Sequence, residues 1–339
     1  MKKYKDPYII AEVGQAHDGS LGILHSYIDA VAETGANAIK FQTHIAEAES
    51  SKFEKFRTKF SYLNESRYDY WKRVEFKKTE WMEISKHCAE KSLDFISSPF
   101  SIAAVELLEE VNIKKFKIGS GEVTNTLLID KIAQTSKPTI ISSGMSTWKE
   151  LDEAVNTFLK HHDDLVICQC TSNYPVAAEN LGLNLIQEIS NRYNLPVGLS
   201  DHSGSIYPGI ASVALGASLV EAHIVFNKKM FGPDTTSSIT LDELKNLVAG
   251  PKFIKKSINN PISKENVSEL KNMKSIFEKS LAVNKDLTRG SKLSIEDLET
   301  KKPAGKGIDA KEYKSILGKK INADLKKWDF ITKKDIDFD

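Results

Sequence analysis

The chain has 339 residues, 40% hydrophobic and 27% charged, which suits a soluble globular protein of about two domains. Its 47 lysines and arginines face 46 aspartates and glutamates, and the net charge of +1 argues against a nucleic-acid binder and a charge-extended disordered chain. Three cysteines make no disulfide framework, the N-terminal apolar stretch broken by Glu12 does not read as a signal peptide, and no apolar run approaches the roughly 20 residues of a membrane span; the expectation is a cytoplasmic protein that binds neither membrane nor nucleic acid.

Short apolar or β-branched runs mark eight strands, at residues 8–13, 38–42, 93–97, 115–118, 139–142, 165–170, 197–200 and 219–224. Between them lie amphipathic segments of helical period at 21–34, 80–91, 103–111, 127–134, 147–159 and 185–193. Gly35 follows the first of these, and Thr147 with Glu150 forms a capping-box pattern. Such alternation with buried, parallel-type strands is α/β, and eight repeats over about 250 residues is the arithmetic of a (β/α)8 TIM barrel. The first turn, Gly14-Gln15-Ala16-His17-Asp18-Gly19, lacks dinucleotide-binding spacing. A long insertion at 43–79 carries Phe53, Phe56, Phe60, Tyr62, Tyr68, Tyr70 and Trp71. It reads either as a lid on the active face or as a surface excursion with a little helix of its own. A last barrel helix starts at Leu241, is interrupted at Gly250-Pro251 and fades by residues 259–261.

The expected division is a barrel over 1–259, a polar linker over 260–275 and a small β-rich domain over 276–339 with strand-like runs at 280–283, 298–300 and 330–332. Residues 271–339 hold 17 basic and 12 acidic residues, a balance of +5 that leaves −4 for the first 270. Opposite balances of this kind suit two surfaces that dock.

In a barrel, function gathers where strands run into the loops that follow them. Those ends carry Glu12, Gln15 and His17; Lys40, Gln42 and His44; Ser98; Lys117, Ser120 and Glu122; Ser142; Ser172 and Tyr174; Ser200, Asp201 and His202; and Glu221 with His223. Lys40 and Lys117 interrupt apolar strands, and buried cations need partners. With the hydroxyls of Ser98, Ser120, Ser142 and Ser172 nearby, the partner is an anionic ligand, a phosphate or carboxylate; the alternative is pairing with Glu12, Glu122 or Glu221. His202 and His223 end adjacent strands and can share one metal ion with open positions, Asp201 and Glu221 orienting the rings. Two protein ligands make a weak, open site suited to Lewis-acid work on a carbonyl. Cys168 and Cys170 share one strand face and read as small buried hydrophobes.

The segments IIAEVG (9–14), IKFQTH (39–44), ISSPFS (96–101), KIGSGE (117–122), SSGM (142–145), CTSNYP (170–175), GLSDHS (198–203), EAHIVF (221–226) and FGPD (231–234) together resemble the sialic-acid synthase family. The stretch 279–308 resembles the antifreeze-like (SAF) domain that ends its members. The resemblance implies a transferase that condenses phosphoenolpyruvate with an N-acylated mannosamine-type aldose to give a nine-carbon 2-keto-3-deoxy acid and phosphate. It implies that His202 and His223 hold a divalent metal, Mn2+ or Mg2+. It places Lys40, Ser98, Lys117, Ser120, Ser142, Ser172 and Ser200 on phosphoenolpyruvate, Glu12, Glu122, Glu221 and Lys117 around the reacting carbons, and Gln42, Tyr174 and Asp234 on the acceptor sugar. It also implies a homodimer in which one subunit's C-terminal domain covers the partner's barrel mouth and offers a basic residue, here Lys302, to the acceptor. The family's Arg-Pro-Gly is matched by Lys302-Pro303-Ala304, or by Lys302-Pro303 with one residue inserted before Gly305, its Asn-His by Ala16-His17 and its Glu-Lys-His by Glu221-Ala222-His223; these departures are expected on the sugar side. Two rivals remain open: a phosphoenolpyruvate aldolase for a phosphorylated sugar, which would want extra arginines that the strand ends lack, and a non-enzymatic sugar-acid-binding protein, which would not need both histidines.

Overall fold

The computed structural model describes residues 6–58, 62 and 64–338; Phe60 lies outside the described residues. The chain forms two compact units, Met1–Asn260 and Pro261–Asp339. In the first, strands β1 (Tyr8–Glu12), β2 (Ala38–Thr43), β3 (Asp94–Pro99), β4 (Lys115–Ile118), β5 (Thr139–Ser142), β6 (Leu165–Cys170), β7 (Val197–Asp201) and β8 (Leu219–Val225) pair in sequence order. All are parallel, and β8 returns to β1 to close a barrel. A two-residue strand β9 (Ile239–Thr240) adds to β8. The strand bounds agree with those read from the sequence to within two residues.

Helices α1 (Leu21–Ala32), α2 (Ala46–Glu49), α3 (Arg67–Val74), α4 (Lys78–Glu90), α5 (Ile102–Glu110), α6 (Thr126–Gln134), α7 (Trp148–Leu159), α8 (Leu185–Tyr193), α9 (Tyr207–Ala214) and α10 (Leu241–Ile258) follow in chain order. The Thr147–Glu150 capping box forms at α7. Two helices differ from the expectation. No helical period announces α9, because its sequence Tyr-Pro-Gly-Ile-Ala-Ser-Val-Ala is short and mostly small, with proline in the first turn, where a missing N–H costs nothing. And α10 is not interrupted at Gly250-Pro251 but runs on to Ile258. There the helices pack too closely for a side chain: a Cβ on Gly250 would meet Ile210 Cδ1 at 2.8 Å, and one on Gly209 would meet Leu247 Cδ1 at 2.7 Å. The buried Leu244, Leu247, Val248 and Pro251 hold the helix against its neighbour despite the proline.

Period-two alternation sorts each strand into two faces. One set, including Ile9, Ile39, Phe41, Phe95, Phe116, Ile118, Ile141, Ile167, Val220 and Ile224, joins the main core with the helices. The other set forms a separate cluster inside the barrel: Tyr8, Ile10, Ala38, Ile96, Ile140, Val166, Cys168 and Leu219. One or two positions further along the same inner face come Glu12, Lys40, Gln42, Ser98, Lys117, Ser142, Ser200, Glu221 and His223. The inner face is therefore an apolar floor with a charged and hydroxylated layer on it.

The second unit contains α11 (Lys271–Phe277) and an antiparallel pair, β10 (Ser280–Val283) with β11 (Leu298–Lys301). Its core includes Leu281, Val283, Leu293, Ile308, Ile321 and Ile331. The segment read as a linker thus begins a helix at Lys271, and the third strand-like run contributes only a bridge, Phe330 to Ala282. Among the described residues no helix is long and apolar enough to cross a membrane.

Gly198, on the inner face of β7, tests the packing of the floor. A Cβ there would lie 2.8 Å from both Cys168 Sγ and the Leu219 carbonyl oxygen. Gly198→Ala is expected to destabilise the barrel by about 1–3 kcal/mol in denaturant unfolding, as overpacking of a filled core does.

Candidate active site

The charged layer opens into a cavity of about 420 Å³ at the C-terminal ends of the strands. Every barrel residue singled out for substrate or metal lines it: Glu12, Lys40, Gln42, Ser98, Lys117, Ser120, Glu122, Ser142, Ser172, Tyr174, Ser200, His202, Glu221, His223 and Asp234. Lys302 belongs to the second unit, where its Nζ sits 4.6 Å from the centre of the Phe277 ring.

The two lysines are paired with carboxylates. Lys117 Nζ donates to Glu221 Oε1 at 2.7 Å, Lys40 Nζ lies 2.9 Å from Glu12 Oε1 and 4.0 Å from Glu221 Oε1, and all four side chains are at most 4% exposed. Of the three carboxylates considered as partners, Glu12 and Glu221 take the lysines and Glu122 does not. Burial by itself would raise the Glu221 pKa, but the charges of Lys117 and Lys40 and the hydrogen bonds from Lys117 and Ser200 outweigh it and hold the carboxyl well below its usual range. Burial by itself would lower the Lys117 pKa, and Glu221 overrides it upward. Both groups are therefore charged at neutral pH. Lys40 also donates to Ser98 Oγ at 3.3 Å, and the hydroxyls of Ser120 and Ser172 are 2.8 Å apart.

Among the described residues, four buried atoms on this cavity have no hydrogen-bond partner: Glu12 Oε2, Glu221 Oε2, Ser142 Oγ and His223 Nδ1. Buried polar atoms are rarely left unpaired, and four around one cavity mark a place for a ligand. Glu122 lies at the edge of this group. Burial raises its pKa against the hydrogen bond that Asn125 donates at 2.7 Å, which brings a carboxyl towards the range useful in proton transfer.

The rings of His202 and His223 have their centres 5.3 Å apart. His202 Nδ1 is 2.9 Å from the Thr171 carbonyl oxygen, which can only accept, so Nδ1 carries the proton and Nε2 keeps its lone pair. Burial, followed by the neighbouring His223, pushes the His202 pKa down to about 3 and keeps the ring neutral, as a metal ligand must be. His223 Nδ1 makes no hydrogen bond and lies 3.9 Å from Asp234 Oδ2. No cluster of three or more His, Cys, Asp or Glu suited to a metal occurs among the described residues. The donor set is thus two imidazoles, which fits a weakly held, open divalent ion. Neither carboxylate expected to orient the rings does so. Asp201 faces away from the cavity and accepts from Ser203 N at 3.1 Å and Ser203 Oγ at 2.7 Å, while Glu221 is committed to Lys117 and Ser200.

The insertion after β2 forms one wall of the cavity, through His44, Glu49, Glu54, Arg57, Arg67 and Trp71. His44 is stacked between Trp71 (3.8 Å) and Phe100 (4.7 Å) and its Nδ1 pairs with Glu49 at 2.6 Å. Arg57 and Arg67 were not anticipated as site residues: the insertion has no periodicity to show which side chains turn inward. Two of the family departures do not reach the site. Ala222 and Ala16 pack into the core between barrel and helices, because their positions face outward.

Residues 27–263 match the NeuB family and residues 278–337 the SAF domain. The chain is similar to the N,N'-diacetyllegionaminic acid synthase of Campylobacter jejuni, with 35% identity over 93% of this chain and 96% of that one. It is similar to the pseudaminic acid synthase of the same organism, with 32% identity over 95% and 94%. Among solved structures, the N-acetylneuraminic acid synthetase of Leptospira borgpetersenii in complex with citrate superposes with a TM-score of 0.70 at 29% identity, covering 79% of this chain and 90% of that one.

Two stability predictions follow from the buried charges. Lys117→Met leaves Glu221 with only the more distant Lys40, at 4.0 Å, and should cost about 3 kcal/mol in denaturant unfolding, with most of the loss recovered in Lys117→Met/Glu221→Leu. Burial pushes the Asp201 carboxyl up to about 6, despite hydrogen bonds from Ser203. Its penalty sets in as pH rises through the unfolded value near 4 and is complete once pH has passed the folded value near 6. The stability of Asp201→Asn relative to the parent should therefore rise by about 3 kcal/mol between pH 4 and pH 7.

Proposed function

The chain belongs to the NeuB family, and on that premise we propose that it is a sialic-acid-type synthase, an enzyme that condenses phosphoenolpyruvate with an N-acylated mannosamine-type aldose to give a nine-carbon 2-keto-3-deoxy acid and phosphate. The observation that carries this reading is the inner layer of two lysines, hydroxyls and two imidazoles around one cavity, where, among the described residues, four buried polar atoms make no hydrogen bond. The synthase names of relatives that share nearly the whole chain support it.

Lys40 and Lys117, with Ser98, Ser120, Ser142, Ser172 and Ser200, hold the phosphate and carboxylate of phosphoenolpyruvate at the bottom of the cavity. The acceptor lies above it against Gln42, Tyr174 and Asp234, with its open-chain aldehyde over C3 of phosphoenolpyruvate. Carbon–carbon bond formation leaves a cation at C2. Water adds there and Glu122 accepts its proton, as its raised pKa suits. The tetrahedral carbon then expels phosphate by C–O cleavage. Glu12 and Glu221 keep the lysine ammonium groups aimed into the cavity throughout.

Among the described residues the lining contains four fixed cations, Lys40, Arg57, Arg67 and Lys117, against six carboxylates, Glu12, Glu49, Glu54, Glu122, Glu221 and Asp234. A polyanion is unwelcome in such a cavity until positive charge is added. His202 and His223 are placed to hold the Mn2+ or Mg2+ that would add it. When bound, the ion also supplies Lewis-acid polarisation of a carbonyl oxygen.

Phosphate release from phosphoenolpyruvate, with Mn2+ and a panel of N-acylated mannosamines, tests the reading. Turnover of at least one acceptor is expected; silence across the panel together with no calorimetric binding of phosphoenolpyruvate would sink it. His223→Ala should weaken Mn2+ binding by about tenfold or more, measured by calorimetry on the folded protein. Undiminished Mn2+ affinity in that variant would remove the metal from this site.

A further inference from the structure

Arg57 stands in the insertion between α2 and α3, yet its contacts are on the far side of the mouth. Its Nη2 donates to Asp234 Oδ1 at 2.8 Å and to the Pro233 carbonyl oxygen at 3.1 Å. Its guanidinium carbon lies 4.0 Å from the centre of the Tyr174 ring. That ring is itself stacked on His202, with centres 4.1 Å apart, so Tyr174 is held between the arginine and the imidazole. The side chain lines the cavity and is 45% exposed, so it borders both the ligand space and solvent. Arg67 differs: it lies 3.8 Å from the centre of Trp71 and 3.3 Å from Glu54, both in the insertion itself.

Charge at this level of the cavity limits what can sit there. Each arginine already faces a carboxylate, Asp234 or Glu54, and Glu49 and Glu122 add two more. A phosphate on the outer ligand would meet, among the described residues of the insertion that line the cavity, only arginines already matched by a carboxylate. An uncharged ligand rich in carbonyl and hydroxyl oxygens meets a guanidinium fork with five N–H donors.

We propose that Arg57 determines acceptor specificity: it donates to an oxygen of an uncharged acylated amino sugar seated against Tyr174 and Asp234, and its pairing with Asp234 leaves no place for a sugar phosphate. The proposal rests on the synthase reading above and adds to it a residue and a substrate class. A lysine in the same place would keep the charge but lose both the planar stack on Tyr174 and the second donor.

The test uses the full-length protein as Arg57→Ala and Arg57→Lys beside the parent. Steady-state phosphate release is measured with N-acetylmannosamine, a diacetamido-trideoxy relative and N-acetylmannosamine 6-phosphate. Phosphoenolpyruvate affinity is measured by calorimetry and folding by thermal melting. Arg57→Ala should raise the acceptor KM by roughly ten- to a hundredfold, with phosphoenolpyruvate affinity and melting unchanged. Arg57→Lys should recover only part of that loss. The parent should favour an uncharged acceptor over the 6-phosphate by about tenfold or more in kcat/KM. An unmoved acceptor KM, a matching fall in phosphoenolpyruvate affinity, or a preference for the 6-phosphate overturns the proposal while the synthase reading stands. A parent that neither binds phosphoenolpyruvate nor releases phosphate overturns both, and that result is distinct from any of the other three.

Discussion

The site depends on a buried exchange of charge: Lys117 with Glu221, and Lys40 with Glu12, all almost fully removed from water. Such ions are tolerable only when each finds its opposite, and register supplies that. Glu12 is level with Lys40 on β2 and with His223 on β8, while Ser200 on β7 is level with Glu221. Closing the barrel therefore assembles the charged layer without any loop having to place it. Ser98, Ser142, Ser200 and His223 join this frame from the strands themselves, and Ser120, Ser172 and His202 are added by the first residues beyond them.

Rigid strands and an irregular insertion divide the work. The inner layer comes from every strand, on a closed sheet whose outer face is packed against helices, so its groups can move little. The outer wall comes from residues 43–79, held by a small cluster of Ala46, Tyr70, Trp71 and Val74 and by contacts across the mouth. Chemistry common to a family belongs on the first kind of support, and discrimination between related acceptors on the second. That division also suits relatives whose names differ in the sugar acid they make while their chains align along nearly the whole length.

The barrel and the inner half of its site were legible in the sequence because both rest on periodicity. Strands of alternating or continuous apolar character bring their last inward residue to one rim, so Lys40, Lys117, Glu221 and His223 could be named from position alone. What escaped had no period to reveal it. Arg57 and Arg67 lie in an insertion whose side-chain directions follow from tertiary contacts. The lysine pairing was open because three carboxylates were within sequence reach and only register chose between them. Ala222 looked like a lost basic residue of the site, yet its neighbours His223 and Glu221 face inward and it faces out. The Gly250-Pro251 pair looked like a break and is instead where α10 comes closest to α9.

The apolar floor has a kinetic consequence. Ile10, Ile96, Ile140, Val166 and Leu219 fill the barrel beneath the charged layer, so hydrocarbon closes the cavity from below. Under the proposed reading, a molecule on Lys40 and Lys117 lies below one resting against Tyr174 and Asp234. The lower must arrive first and the upper must depart before anything beneath it can escape. Under that reading the order of addition would be set by hydrocarbon packing, at residues that touch neither substrate.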